Sequence, residues 1–214
     1  MALDDPRFVA TLAEYNQRLA EERKIIASAD VVPEALDYDA LLVPVGEDVG
    51  RLMHAMVVGL KAQIIVELGT SYGYSTMFLA DAARATGGRV YSYDVKANKQ
   101  AYARERLERL GLADCVEFRL GDAGEMLGSQ PGPVDFALID HVKHLYVPCL
   151  ERLVPILSQG ATVIADNMLF PLQAVKDAEI YRAAVRAMPE MEAVLMPMGS
   201  GIDIAVKQGG QLKR

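Results

Sequence analysis

Asp140-His141-Val142-Lys143 and Ala165-Asp166-Asn167 place two carboxylates 26 residues apart, each directly after an apolar run, Phe136–Ile139 and Ala161–Ile164. Runs of this kind read as buried parallel strands. Two carboxylates, an amide oxygen and a lysine would then leave one edge of a sheet together. Neighbouring strands lie about 4.8 Å apart, so Asp140 and Asp166 can share one ion, and Asn167 adds a carbonyl oxygen. Three protein oxygens leave about three octahedral places for water and substrate, the usual way of holding Mg²⁺. Lys143 is the candidate general base. Its ordinary pKa, near 10.4, is too high for that task at neutral pH, but a nearby cation and partial burial both lower it. The same cation would acidify a bound phenol, and the phenolate oxygen could attack a sulfonium methyl in one displacement, helped by proximity and charge neutralisation. Taken singly, Lys143 could be a surface lysine and the two aspartates caps; their joint occurrence at successive strand ends favours the site.

A second segment supplies a nucleotide-type site for the same edge. Glu67-Leu68-Gly69-Thr70-Ser71-Tyr72-Gly73-Tyr74-Ser75 follows the strand Ile64-Ile65-Val66 and opens a helix. Ligands in such folds sit at the carboxyl ends of the strands, where strand order reverses. Gly69 and Gly73 permit a sharp turn and close backbone approach. Their spacing is not that of a dinucleotide fingerprint, and Glu67 would repel a diphosphate. An acid with glycines suits a ligand bearing an ammonium, such as the methionine part of S-adenosylmethionine. Asp94, ending the next strand, can accept from both ribose hydroxyls, as nicotinamide enzymes also arrange. Gly121-Asp122-Ala123 ends the third strand; Asp122 is either a helix N-cap or the border of an adenine site. Among the histidines, His54 sits on a helix that reads as packed, His141 could wall the adenine, and His144 has no assigned role. Cys115 and Cys149 show no zinc or disulfide spacing.

The elements that must position these groups alternate. Residues 6–27 predict an amphipathic helix with Phe8, Leu12, Leu19 and Ile26 on its apolar side. Val31–Tyr38 reads as a loop, and a second helix starts near Asp48. Strands are expected at 64–66, 89–93, 116–120, 134–139 and 161–165. Helices are expected at 74–86, 97–110, after Asp122, at 147–158 opened by Pro148, and at 173–188. Met191–Met196 and Ile202–Val206 close the chain as a hairpin. The fold class is therefore α/β: a Rossmann-like, mostly parallel sheet with helices on both faces and a C-terminal antiparallel hairpin. Residues 1–214 form one domain with an N-terminal helical extension over about 6–45; the tail Gln208–Arg214 is expected to fray.

Composition narrows the function. An apolar share of 51% over 214 residues is enough for a sizeable core. The net charge of −7 argues against nucleic-acid binding, which needs a basic footprint. No segment reaches the roughly 18–20 apolar residues of a membrane span, and the acidic start lacks a signal-peptide core. A cytoplasmic protein without membrane or nucleic-acid partners is expected. The stripe on the first helix could serve a homodimer or pack on its own domain.

From about Leu42 to Lys207 the chain resembles the catechol O-methyltransferase family of class I, S-adenosylmethionine-dependent enzymes. The resemblance is carried by Glu67-Leu68-Gly69 with Gly73-Tyr74-Ser75, by Asp140-His141-Val142-Lys143 with Tyr146 and Pro148, and by Ala165-Asp166-Asn167. It implies a seven-stranded sheet, Mg²⁺ or another divalent cation on Asp140, Asp166 and Asn167, and Lys143 as base. It also implies cofactor contacts at Val45, Glu67, Gly69, Ser75, Asp94, Val95, Ala123, Asp140 and His141. The acceptor would meet Lys143, Asn167, Leu169 and Phe170, with Met198 and Ser200 nearby. The chain departs from the family where a tryptophan beside the adenine is Val142, where the mammalian gating tryptophan aligns near Leu41, and where the glutamate holding the second hydroxyl is matched only out of register by Glu192. The expected reaction is O-methylation of a catechol-type, vicinal dihydroxy aromatic. The alternatives are a caffeoyl-CoA-type or other phenolic O-methyltransferase, against which His141 favours the catechol type, and a nicotinamide-dependent oxidoreductase, against which stand the glycine spacing and Glu67.

Overall fold

The computed structural model describes residues 3–27, 40–171 and 174–209. The Val31–Tyr38 loop, the end of the tail and the side chain of Ile26 lie outside the described residues. The chain runs α1 (Pro6–Ala27), α2 (Glu47–Leu60), β1 (Ile64–Leu68), α3 (Tyr74–Thr86), β2 (Arg89–Asp94), α4 (Ala97–Leu110), β3 (Val116–Leu120) and α5 (Ala123–Met126). It continues through β4 (Val134–Ile139), α6 (Tyr146–Leu153), β5 (Leu157–Ala165), α7 (Val175–Ala187), β6 (Met191–Met196) and β7 (Ile202–Lys207). The seven strands form one sheet in the order β3-β2-β1-β4-β5-β7-β6, mostly parallel with a C-terminal antiparallel hairpin as expected. β7 runs antiparallel to both of its neighbours and reverses the sheet's direction next to its edge.

Each face of the sheet carries its own core. Period-two alternation sends Ile65, Phe136 and Leu138 to a cluster shared with α1–α4, and Val66, Leu68, Ala137 and Ile139 to one shared with α6 and α7. Phe8, Leu12 and Tyr15 of α1 are buried in the first cluster, where Phe8 meets Phe78 edge-on at 5.2 Å. Of the apolar stripe, Phe8 and Leu12 are therefore covered by the chain itself, and Leu19 packs partly buried against the same cluster.

Two boundaries differ notably from expectation: β1 runs on to Leu68, so Glu67 lies within the strand, and the α6–β5 junction is displaced. The helix at 147–158 stops at Leu153, a 3₁₀ turn follows at Val154–Ile156, and β5 starts at Leu157 rather than Ala161. Pro155 sits within that turn and has no N–H for a further helical bond. The polar Ser158-Gln159-Gly160 opening hid the strand from an apolar pattern, yet Leu157 pairs with Val134.

Candidate active site

Strand order reverses between β1 and β4, whose outward connections lead to opposite edges of the sheet. The crevice outside their carboxyl ends is the expected ligand position. A cleft of about 420 Å³ opens there, lined by Gly69, Asp94, Val95, Ala123, Asp140, His141 and Asn167 among the expected residues, and by Ser71, which was not among them. Leu41, Val43, Tyr93, Lys96, Lys99, Gly121, Asp122, Val142 and Leu145 complete the wall. Val45 and Ser75 line a small adjoining recess that shares Val43, Gly69, Ser71 and Asp140 with the cleft.

Gly69 shows why this turn is glycine-dependent. It has φ 108°, and a Cβ there would lie 2.0 Å from the main-chain oxygen of Asp140. The end of β1 therefore presses directly on the start of the Asp140 loop, with the N–H of Asp140 donating to the Leu68 carbonyl at 2.8 Å. Asp94 is held by two main-chain donors, Ser71 N–H at 2.7 Å and Lys96 N–H at 2.8 Å, so its carboxylate is fixed at the wall before any ligand arrives. Asp122 is the N-cap of α5, its Oδ1 accepting from Glu125 N–H at 3.3 Å, and it also lines the cleft.

Glu67 lies beneath the turn rather than at the wall. It is fully buried, and its side chain points to the α3 face of the sheet with Ile65. Oε1 accepts from Ser75 at 2.6 Å, and Oε2 accepts from Thr76 at 2.7 Å and Ser92 at 2.5 Å. The carboxylate expected to face an ammonium is turned onto hydroxyls, and it touches the recess only through Ser75. Burial pushes its pKa up to about 7 against the opposing pull of these donors. Gln100 extends the network by donating to Thr70 Oγ1 at 3.1 Å, and Thr70 lies 2.6 Å from Ser92 Oγ. The Ser-Thr pair behind Gly73 was the sequence signal for this hub; Ser92 and Gln100 had none.

β4 and β5 pair in register, Ile139 beside Ala165, so Asp140 and Asp166 emerge side by side. Asp166 N–H donates to the Ile139 carbonyl at 3.1 Å. Asp166 is 1% exposed, and its Oδ1 is buried without a hydrogen-bond partner. Burial, then the neighbouring Asp140 charge, raise its pKa. Asp140, open to the cleft on one side, is raised by burial and opposed by Lys143. Asn167 takes the left-handed conformation, φ 57°, which asparagine tolerates better than most residues.

Lys143 Nζ donates to the Asp166 carbonyl and to Asn167 Oδ1, both at 2.9 Å, and to the hydroxyl of Tyr146. The Tyr146 ring lies 4.0 Å below the amine, and its hydroxyl is 3.3 Å from the Asp166 carbonyl. Burial lowers the Lys143 pKa, and Asp140 and Asp166 oppose that shift. His141 packs against Tyr146 at 5.3 Å, with Nε2 3.2 Å from Cys149 Sγ. Burial, then Lys143, take its pKa down to about 4, so it is neutral at physiological pH.

The oxygen set fits a hard cation. Two carboxyl groups emerge side by side from paired strands, and Asp166 Oδ1 lacks a partner. Asn167 Oδ1 accepts from Lys143 but retains a second lone pair. Among the described residues no group of three or more His, Cys, Asp and Glu could hold a metal; the set here is two acids and an amide. His54 is structural, as expected, with Nε2 3.1 Å from the buried Asp81. Leu169 and Phe170 stand exposed outside the cleft wall, with both main-chain N–H groups donating to the Ser200 carbonyl. Glu192 is exposed on the edge strand β6, away from the cleft. No helix among the described residues is long and apolar enough to cross a membrane.

A seven-stranded sheet of this order with its reversed penultimate strand, carrying an acid-glycine turn at the switch point and an acid on the next strand end, defines a class I methyltransferase. Residues 66–168 match the family described as "Methyltransferase domain". A protein of Mycobacterium tuberculosis named "Probable O-methyltransferase" is 33% identical over 69% of this chain and 65% of its own length. A catechol O-methyltransferase of the same organism is 30% identical, covering 73% of this chain and 70% of its own. The crystal structure of an O-methyltransferase from Bacillus cereus in complex with S-adenosylhomocysteine superposes with a TM-score of 0.71 at 26% identity, over 93% of this chain and 91% of that one. The chain belongs to the catechol O-methyltransferase-like family of S-adenosylmethionine-dependent O-methyltransferases.

Proposed function

We propose that this chain is a divalent-cation-dependent O-methyltransferase acting on a vicinal dihydroxy aromatic. The observation that carries the reading is the buried, unpartnered Asp166 Oδ1 beside Asp140, with the Lys143 amine bonded into the same oxygen set. S-adenosylmethionine would supply an electrophilic methyl on a sulfonium. Asp140, Asp166 and Asn167 would hold Mg²⁺, whose charge would acidify one acceptor hydroxyl and fix the other.

The chain's own part is orientation and proton transfer. Gly69 lets the end of β1 pack against the start of the Asp140 loop at the cleft wall, Asp94 is pre-set for ribose hydroxyls, and His141 and Ala123 wall the far end. Lys143, with its basicity reduced by burial, takes the acceptor proton at Nζ. With the donor bound, the acceptor oxygen would bond to the methyl carbon as the carbon–sulfur bond broke, and the sulfur would leave as a neutral thioether. Tyr146 and the Asp166 carbonyl keep the amine in place during that transfer.

The test is a panel of catechols, hydroxycinnamates and flavonoids incubated with S-adenosylmethionine, with Mg²⁺ or with EDTA, and read by mass spectrometry for one added methyl. Catechols gain the methyl with Mg²⁺ and not with EDTA. Full turnover in chelator would remove the cation from the mechanism, and methylation confined to monophenols would remove the vicinal pair.

A further inference from the structure

The N-terminal helix is tied to both walls of the cleft mouth. Arg18 donates to the Ala40 carbonyl at 2.8 Å, and Glu22 Oε2 accepts from the Leu42 main-chain N–H at 2.8 Å. The two side chains are paired to each other, Arg18 Nε to Glu22 Oε1, at 2.6 Å. A turn earlier, the Tyr15 hydroxyl donates to the Tyr72 carbonyl at 2.6 Å, and the Arg18 guanidinium lies 3.9 Å above the Tyr72 ring. Spacings of three and four residues put Tyr15, Arg18 and Glu22 on one helical stripe. That stripe grips two separate segments: the strap 40–45 and the glycine turn 69–75. These segments carry Leu41, Val43 and Ser71 into the cleft wall, and Val45 and Ser75 into the recess.

The strap is not in a conformation it would hold unaided. Val43 has φ 37°, a region that β-branched residues rarely occupy. Its neighbours Leu42 and Val45 are buried at 2% and 3% exposure, so the chain is pinned on both sides of the strained residue. Such conformations persist where the surroundings over-determine them, and they cluster at ligand clamps.

We propose that α1 shapes the methyl-donor site, with Arg18 and Glu22 as positioning residues that hold the strap against the glycine turn. The inference rests on the reading that this cleft takes S-adenosylmethionine. Glu22 acts through Leu42 and touches no reacting atom; cutting it frees the strap, and the loss falls on donor binding.

The experiment compares the full-length chain with Glu22→Ala, Arg18→Met and Glu22→Gln. Calorimetry with S-adenosylhomocysteine gives affinity, amide hydrogen exchange reports on Leu42, and steady-state kinetics separates KM for the donor from kcat. In Glu22→Ala and Arg18→Met the dissociation constant rises about tenfold, the scale of one lost tether. The Leu42 amide exchanges about tenfold faster in Glu22→Ala. Glu22→Gln keeps an acceptor for Leu42 and recovers affinity to within about threefold of wild type. The kinetic loss appears in KM for the donor more than in kcat. Folded Glu22→Ala and Arg18→Met variants that bind within about twofold of wild type would overturn the proposal, as would unchanged exchange at Leu42. Should Glu22→Ala fail to fold, Arg18→Met decides. If the wild-type chain itself does not bind S-adenosylhomocysteine, the assignment of the cleft fails, while exchange at Leu42 still judges the tether.

Discussion

The Lys143 amine donates to the side-chain oxygen of Asn167 across 2.9 Å, joining the proposed base to the proposed cation set through one hydrogen bond. Residues 24 positions apart thereby share one small volume at the ends of β4 and β5. In the proposed reaction, base and charge would act on the same substrate oxygen.

Lys143→Ala is expected to lower kcat by about 10²–10⁴-fold, the usual contribution of a positioned general base. Binding of S-adenosylhomocysteine stays near wild type, because Lys143 is not part of the cleft wall. Single-turnover kinetics alongside calorimetry separates the two, and undiminished turnover would refute the assigned role.

Glu67 makes stability pH-dependent in a defined direction. Its folded pKa, about 7, lies above its ordinary value of 4.5 because burial disfavours the charge. The folded chain therefore holds this proton more tightly than the unfolded one. That contribution is fully present below pH 4.5 and is lost as pH rises through 7. Relative to Glu67→Gln, the wild-type chain should lose about 3 kcal/mol between those limits. Urea unfolding at pH 5 and pH 8 provides the check; parallel pH slopes for the two proteins would contradict it.

Gly69→Ala and Gly87→Ala should separate crowding from backbone strain. Both glycines have positive φ, 108° and 74°, but only Gly69 faces a neighbour, the Asp140 carbonyl 2.0 Å from the added Cβ. Gly87→Ala, with open space around it, should cost about 1–2 kcal/mol. Gly69→Ala should cost upward of about 3 kcal/mol and abolish donor binding. Equal stabilities in denaturant titration would show that the loops at β1 and β4 do not press on each other.

Much of the architecture was legible in the chain. Apolar runs alternating with amphipathic segments marked the parallel strands and their helices, because periodicity records which side of an element is buried. The Asp140 and Asp166 segments were recognisable because buried strands end where polar residues begin. The opening of β5 was not: Ser158-Gln159-Gly160 carries no apolar signal, and its pairing with β4 supplies the order.

What the linear chain determined by itself was the inventory and its placement: an acid-glycine turn after one strand, acids ending later strands, and a lysine three residues beyond Asp140. Only the tertiary structure decided where each side chain points. It turned Glu67 onto Ser75, Thr76 and Ser92, left Asp166 Oδ1 without a partner, set Tyr146 under Lys143, and tied Arg18 and Glu22 to the strap at 40–42. The physical reason is that local periodicity reports burial of a face. Which polar groups meet is chosen by the register and packing of the whole sheet and of the helices laid on it.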